Sequence, residues 1–540
     1  MIRQPGYGAA SRPALLTAVI LSVCSACHDG AASKGANPSM TLGGDGASGG
    51  TSSGTGAAAS SGAGTGGSKM VPPTMGIMGP PNCGLDSAAF CDSFDAPAKT
   101  RGRAGDLDPQ LWSVSRLMPQ GPTDKGAAFP VGAAVLPMCR EGSPSLAWPP
   151  DDTLVCDPVP DIKNSHLLVA VAAQNYGINS YRIRQPFDFA GRTGKIVFDA
   201  QGYSTLGWIS LEVTDEPIGV PSYALVVNDE GGVLPKNGFE VQFSQTCGQG
   251  GAPTVFNWRH FHEFEDYVDT VTKQEGFDCP SAKKGALNHF EVTVSQTKVE
   301  VFVSPVSADG VNFEAKKLVL SQKVNLPFTR GYVHISVHNH ATLKYSTGTW
   351  AGNQGETDLD AWLAQWDNVG FDGVILSDTR EYEAPDSLTE TTLELGDPHN
   401  PTKKALNIGY IVPDVATGAS TPLKFTDVDL DKAKSAQLAV TSWYANADGK
   451  IADVVLKYRF NGGEWRDRKI TPAEAALYTA PVVKGDSGGK PAILNTLGQI
   501  IDVDLADLVA GDNTLEFATE NATQGLPTGV ANVDLILKTE

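Results

Sequence analysis

From residue 82 onward the chain consists of short alternating runs between clusters of Gly, Pro, Asn and Asp, and this period-two pattern restricts it to β-structure. Lys195-Ile-Val-Phe-Asp199, Trp208-Ile-Ser-Leu-Glu-Val213, Phe239-Glu-Val-Gln-Phe243 and Phe290-Glu-Val-Thr-Val294 are examples. Side chains along a strand point alternately to opposite faces, so each run has one apolar and one polar side. Helical periodicity is scarce, and only Asp358 to Trp366 is expected to form a short helical turn. Many short strands at such spacing imply an all-β sandwich or jelly roll. No Gly-rich loop follows a strand and opens a helix, which disfavours a nucleotide-dependent enzyme.

Composition narrows the function classes. The 540 residues carry a formal net charge of −20, whereas a general nucleic-acid binder needs a basic footprint. Hydrophobic residues make up 41%, enough to build cores, and charged residues only 19%, too few for a charge-driven disordered chain. No run of about 20 apolar residues offers a membrane-spanning helix.

The first 27 residues read as an export signal. Arg3 and Arg12 precede the apolar stretch Ala14 to Val23, which is too short to cross a bilayer. Val23-Cys24-Ser25-Ala26-Cys27 resembles a bacterial lipobox, with Cys27 as the expected lipid anchor; plain signal cleavage is the alternative. His28 rather than Asp follows Cys27, which by the same resemblance implies outer-membrane sorting. Residues 28–81 are dominated by Gly, Ser, Ala and Thr and are expected to form a disordered tether with a random-coil reach of about 40 Å. Exported to the outer membrane or cell surface as a lipoprotein, or else periplasmic or secreted, the chain would touch a membrane only through its N-terminal lipid.

Beyond the signal lie six cysteines: Cys83, Cys91, Cys139, Cys156, Cys247 and Cys279. An even number in an exported chain implies disulfides, and closeness in sequence pairs them in that order. None follows Cys279, and the polar stretch after residue 376 marks a change of composition. We therefore expect one module over 82–376 and a second, more acidic one over 377–540. The second contains Gln437-Leu-Ala-Val-Thr441, Ile451-Ala-Asp-Val-Val-Leu-Lys-Tyr-Arg-Phe460 and a hairpin turn at Asn461-Gly462.

Phe90-Cys-Asp-Ser-Phe-Asp95 with Leu107-Asp-Pro-Gln-Leu-Trp112, and the closing Trp366-Asp-Asn-Val-Gly-Phe-Asp372, resemble the first and last strands of a concanavalin A-like lectin/glucanase jelly roll. Leu456-Lys-Tyr-Arg-Phe-Asn-Gly462 and Leu508-Val-Ala-Gly-Asp-Asn-Thr-Leu-Glu-Phe517 resemble a galactose-binding-like β-sandwich. Domains similar to the first often tie their first strand to their last through a divalent cation. The resemblance thus implies a structural Ca²⁺ at Asp92 and Asp367.

Alternation places Trp208 and Glu212 on the polar side of one strand and Glu240, Gln242 and Ser244 on that of another. Tyr332, His334, Ser336, His338 and His340 share the polar side of a third, and His260 and His262 lie in a further run. Such aromatic, amide, carboxylate and imidazole groups suit sugars, whose C–H faces stack on rings while their hydroxyls meet polar atoms. A solvated sheet face without ligand has the same pattern. Same-face residues two apart sit about 6.5–7 Å apart along a strand, too far for His334, His338 and His340 to converge readily on one metal.

Glucanases of the resembled fold carry two Glu and an Asp on one strand. Here Glu240 matches the nucleophile, but Gln242 replaces the Asp and Ser244 or Gln245 replaces the second Glu. An amide cannot transfer a proton as a carboxylic acid does, so Glu240 and His338 are only weak catalytic candidates. A polysaccharide lyase would draw on Gln242, Arg259, His260, His338 and Tyr332, without the usual spacings. The sequence thus leads to a surface protein that binds a carbohydrate or cell-surface polymer without catalysis. The alternatives are a polysaccharide-degrading enzyme and a structural envelope protein.

Overall fold

In the computed structural model the alternating runs become strands. They are, in chain order, β1 (Phe90–Asp92), β2 (Trp112–Leu117), β3 (Gly132–Pro137), β4 (Ser145–Leu146), β5 (Leu154–Val155), β6 (His166–Val171), β7 (Ile178–Ile183), β8 (Phe187–Asp188) and β9 (Gly194–Gly202). They continue with β10 (Gly207–Thr214), β11 (Val233–Leu234), β12 (Gly238–Ser244), β13 (Pro253–Trp258), β14 (Asn288–Ser295), β15 (Lys298–Ser304), β16 (Lys317–Lys323), β17 (Arg330–Asn339) and β18 (Leu363–Phe371). The last eight are β19 (Thr379–Glu383), β20 (Leu423–Val428), β21 (Ser435–Trp443), β22 (Val455–Phe460), β23 (Arg466–Lys469), β24 (Thr496–Val503), β25 (Gly511–Glu520) and β26 (Gly529–Lys538). The structure describes residues 81–95, 104, 107–117, 132–137, 145–146, 154–155, 166–171, 178–202, 207–219, 233–234, 237–244, 253–258, 287–305, 313–339, 363–384, 419–420, 422–443, 451–472, 474–475, 496–520 and 529–539. The signal region with Cys27, the tether, and Cys139, Cys156, Cys247 and Cys279 lie outside them. Among the described residues no helix is long and apolar enough to cross a membrane.

The fold is all-β. An eight-stranded sheet runs β16-β15-β14-β9-β18-β6-β3 with β1 added on β18. A seven-stranded sheet runs β13-β12-β10-β17-β7-β2 with β8 added on β17. Their apolar faces share one core: Phe198, Phe290, Val301 and Trp366 come from the first sheet, and Trp112, Tyr181, Leu211 and Ile335 from the second. Burial of large side chains like these stabilises by roughly 1.5–3 kcal/mol each. Phe198 adds ring contacts to Phe290 at 5.1 Å and to Trp366 at 5.3 Å between centroids.

Two expectations are settled by pairing. Leu363–Trp366 is not a helical turn but the start of β18, paired with β6 and β9. Two partner strands and a core position for Trp366 outweigh any local helical preference there. The first strand does lie beside the last, with Phe90 opposite Phe371. Cys83 and Cys91 form the expected disulfide, and Cys91 itself stands opposite Gly370 in this pairing. Gly370 makes the approach possible, since a Cβ there would meet the Phe90 carbonyl oxygen at 2.8 Å and Cys83 Cβ at 3.0 Å.

The C-terminal residues build a second sandwich from sheets ordered β11-β24-β21-β26-β19 and β20-β25-β22-β23. Its separate core gathers Phe425, Leu438, Leu456, Phe460, Phe517 and Leu535. Asn461 and Gly462 turn after β22 with φ of 52° and 68°, the left-handed pair a tight hairpin turn needs. Strand β11, which leaves the chain between β10 and β12, pairs in parallel with β24 of this second sandwich. The two sandwiches belong to one compact unit, Met70–Glu540.

Candidate functional site

The seven-stranded sheet turns its apolar side to the core and a polar side away from it. Register aligns that polar side into rows across five strands. One row runs Glu240 (β12), Glu212 (β10), His334 (β17), Arg182 (β7) and Ser113 (β2). The next runs Gln242, Ser210, Ser336, Ser180 and Ser115. Adjacent strands are about 4.8 Å apart, so each row is a ladder of neighbouring side chains. All ten side chains are buried, Gln242 being the most exposed at 6%.

Glu212 and Glu240 are directly opposed on antiparallel strands, both wholly buried. Like charges so placed repel, and burial penalises each of them further. Burial first, and then the Glu240 carboxylate, hold the Glu212 carboxyl well above the usual carboxylate range. The Ser210 hydroxyl donates to Glu240 Oε1 at 2.7 Å and the Ser336 hydroxyl to Glu212 Oε2 at 2.9 Å.

His334 stands next in the row. Burial, and then the charge of Arg182, push its pKa well below the ordinary imidazole value. Thr214 donates its hydroxyl proton to the Glu216 carbonyl oxygen at 2.7 Å. It therefore accepts from His334 Nε2 at 3.1 Å, and Nδ1 accepts from the Ser180 hydroxyl at 3.2 Å. This assigns a neutral imidazole protonated on Nε2.

Arg182 closes the row against the second sandwich. Its guanidinium makes a two-pronged pair with the Glu381 carboxylate of β19 and lies 3.9 Å from Asp534 of β26. Burial opposes the charge of Arg182, but Glu381 and then Asp534 outweigh it and raise its pKa. Ser113 donates to Asp534 Oδ2 at 2.9 Å. The Tyr332 ring lies 5.5 Å from the same guanidinium. Gly219 lies against both Ser115 and Thr441 of β21, and a Cβ there would meet Ser115 Cβ at 2.8 Å.

Gln242 differs from its row-mates. Its Nε2 is buried and has no hydrogen-bond partner among the described residues.

Alternation thus brings together Glu212, Glu240, Gln242 and His334, with Tyr332 on the same side of β17 next to Arg182. Trp208, Ser244 and His338 occupy one further register row, where the backbone alone is described. His260, His262, His340 and Arg259 lie outside the described residues. Sequence reasoning missed Arg182, Ser113, Ser115 and Ser180. Their signal was the alternation in Trp112-Ser-Val-Ser115 and Ser180-Tyr-Arg182. It also sought the second carboxylate along one strand, whereas Glu212 stands across the ladder on the neighbouring strand.

Asp92 and Asp367 lie instead on the eight-stranded sheet, on paired strands β1 and β18. Asp92 accepts the Trp112 indole N–H at 2.7 Å and the Phe94 amide at 2.9 Å. Burial first, and then Asp199, raise the Asp367 carboxyl well above its usual range. Asn368 donates through Nδ2 to Asp199 at 2.8 Å, while its Oδ1 is buried without a partner among the described residues. Among the described residues no three His, Cys, Asp or Glu side chains are grouped as a metal site.

Two facing antiparallel sheets with the first strand beside the last define the larger sandwich. It is an all-β sandwich of two antiparallel sheets. Solved structures similar to this chain include the following three. The Ca²⁺-bound VIP36 exoplasmic/lumenal domain is 9% identical with a TM-score of 0.27, over 52% of this chain and 90% of that one. A glycosyl hydrolase family 16 protein from Mycobacterium smegmatis is 11% identical with a TM-score of 0.25, over 53% and 100%. Metal-free lectin I-B4 from Griffonia simplicifolia is 10% identical with a TM-score of 0.24, over 38% and 87%. No protein-family model and no curated protein matches the sequence.

Proposed function

We propose that this chain is an exported, lipid-anchored protein that binds a carbohydrate on the polar side of the seven-stranded sheet. The observation that carries the reading is Gln242 Nε2, a buried donor without a partner in a layer where serines, carboxyls and His334 are hydrogen-bonded. Leaving such a group unsatisfied costs about 1–3 kcal/mol, a cost that an acceptor on a ligand removes. A sugar hydroxyl is an acceptor of the right kind, and the neighbouring hydroxyl and carboxyl groups extend the same chemistry.

The test is a glycan array on the mature chain, followed by titration calorimetry with Gln242→Met. That variant keeps the volume and removes the donor. It is expected to bind about tenfold more weakly, equivalent to about 1.4 kcal/mol, and to melt no lower than wild type in the free state. An array on which nothing binds removes the reading and leaves a structural envelope protein. The anchor is tested separately: Cys27→Ser should move the protein from the membrane to the soluble fraction, and wild type should carry a lipid by mass.

A second reading, cleavage of a polysaccharide, is favoured by the opposition of Glu212 and Glu240. Directly opposed residues place their Cβ atoms about 4.5–5.5 Å apart, compatible with the carboxyl separation of about 5–5.5 Å used in retaining glycoside hydrolysis. Glu212, disposed to keep its proton, would be the acid, and Glu240 the carboxylate facing the anomeric carbon. Release of reducing ends by wild type and its loss in Glu212→Gln and Glu240→Gln would establish it.

The reading also includes a structural Ca²⁺ near Asp92 and Asp367. The raised Asp367 carboxyl and the unpartnered Asn368 Oδ1 are oxygens a hard cation would satisfy. The hydrogen bonds already accepted by both Asp92 oxygens leave backbone carbonyls and water to complete most of the shell.

A further inference from the structure

We infer that Asp199, His289 and Ser304 form a nucleophilic site on the outer face of the eight-stranded sheet, and that this site cleaves esters of small acyl groups. It lies on the other sheet from the proposed carbohydrate face and needs no sugar there.

Register places the three residues side by side. Asp199 of β9 stands opposite His289 of β14, and His289 stands opposite Ser304 of β15. Their neighbours Phe198, Phe290 and Val303 fill the core, so alternation turns all three to the other face. Adjacent strands are about 4.8 Å apart, so carboxylate, imidazole and hydroxyl follow one another in a single row.

The carboxylate sets the imidazole. Asn368 Nδ2 donates to Asp199 Oδ2 at 2.8 Å, and His289 Nδ1 lies 2.6 Å from Asp199 Oδ1. A carboxylate only accepts, which assigns the proton to Nδ1 and leaves a lone pair on Nε2. With Nδ1 turned toward β9, the Nε2 edge of the ring points outward on the β15 side, where Ser304 stands. Among the described residues neither Nε2 nor the Ser304 hydroxyl has a hydrogen-bond partner. Rotation about the Ser304 Cα–Cβ bond brings the hydroxyl toward Nε2, an approach that in enzymes often tightens only when substrate is bound.

The row is open where a base has to be. The His289 side chain is 21% exposed and that of Asp199 5%, so the base meets solvent and its orienting carboxylate does not. Pro305 follows Ser304, and its carbonyl oxygen accepts the Glu314 amide at 2.7 Å. Phe313 returns with Glu314 and lies against His289, ring centroids 5.5 Å apart. Pro305 and Phe313 give the nucleophile an apolar flank for a short acyl chain.

In the reaction Ser304 Oγ bonds to the ester carbonyl carbon while its proton passes to His289 Nε2. The ester C–O bond breaks, and the proton on Nε2 goes to the leaving alkoxide. Water then attacks the acyl-serine, loses a proton through the same nitrogen, and releases the carboxylic acid and free Ser304. Asp199 is a positioning residue, holding the tautomer that leaves Nε2 able to accept.

The experiment treats the wild-type mature chain with a fluorophosphonate and maps the adduct by mass spectrometry, beside turnover of 4-nitrophenyl acetate, butyrate and octanoate. The adduct is expected on Ser304, with acetate or butyrate preferred over octanoate. Ser304→Ala gives up no hydrogen bond and should melt with wild type. Ser304→Ala and His289→Gln should each lower kcat/KM by about a hundredfold or more. Asp199→Asn should lower kcat at unchanged KM and remove the low-field His289 Nδ1 proton resonance. No adduct on Ser304, no turnover of any of the three esters, or turnover that survives Ser304→Ala or His289→Gln overturns the site.

Discussion

Glu212 and Glu240 stand directly opposite each other across the β10–β12 ladder, both buried, each held by a different serine hydroxyl. A sheet whose sole task was to be stable would not place two carboxyls there, since like groups opposed across strands cost energy. Protonation of one relieves the repulsion, and this links the pair to pH.

The raised pKa of Glu212 fixes the sign of that link. A carboxyl that binds its proton more tightly in the folded state contributes its full stability below the unfolded value of about 4.5. That contribution is lost as pH rises through the folded value. Glu212→Gln keeps an acceptor for Ser336 and removes the proton dependence. Its melting temperature should therefore gain on wild type as pH rises from 5 to 8, which calorimetry at stepped pH would read. Parallel curves for the two proteins would contradict the assignment.

His334 acts in the opposite sense. Its pKa is lowered, so its contribution is complete above the unfolded value of about 6.5 and is lost as pH falls below it. Nitrogen-15 NMR of the ring should show a neutral Nε2–H tautomer persisting well below pH 6.5. His334→Gln should flatten the acid side of the stability curve. An imidazolium signal at pH 6 would refute the hydrogen-bond assignment.

Removal of the Glu381 carboxylate leaves Arg182 buried and only distantly compensated by Asp534. Glu381→Ala should cost about 3–5 kcal/mol in urea unfolding, whereas Arg182→Met with Glu381→Met should cost far less, because it removes both charges. Equal losses from the single and double changes would show that packing, not charge, holds the sandwiches at this point.

A melting curve in excess EDTA and in millimolar Ca²⁺ tests the cation. Saturation to 100 times the dissociation constant would add about 2.7 kcal/mol. The shift should vanish in Asp367→Asn. Identical melting temperatures in EDTA and Ca²⁺ would remove the site.

What the sequence determined by itself was local and periodic. The inward set Ile209, Leu211, Val213, Val241 and Ile335, and the outward set Glu212, Glu240, Gln242, His334 and Ser336, follow from period-two alternation, because neighbouring side chains on a strand cannot share a face. The Asn461-Gly462 turn and the Cys83–Cys91 bond were legible for the same reason, since each depends on residues close in the chain. The partnerships were left to tertiary structure. Glu212 meets Glu240 through the register of two strands, Trp366 enters a strand only because β6 and β9 flank it, and Arg182 reaches Glu381 from the other sandwich, 199 residues away. Alternation fixes which way a side chain points but carries no information about which strand lies beside it or what covers the face. Long-range packing makes that choice, and here it turned a polar face that reads as solvated into a buried row of hydrogen-bonded polar groups.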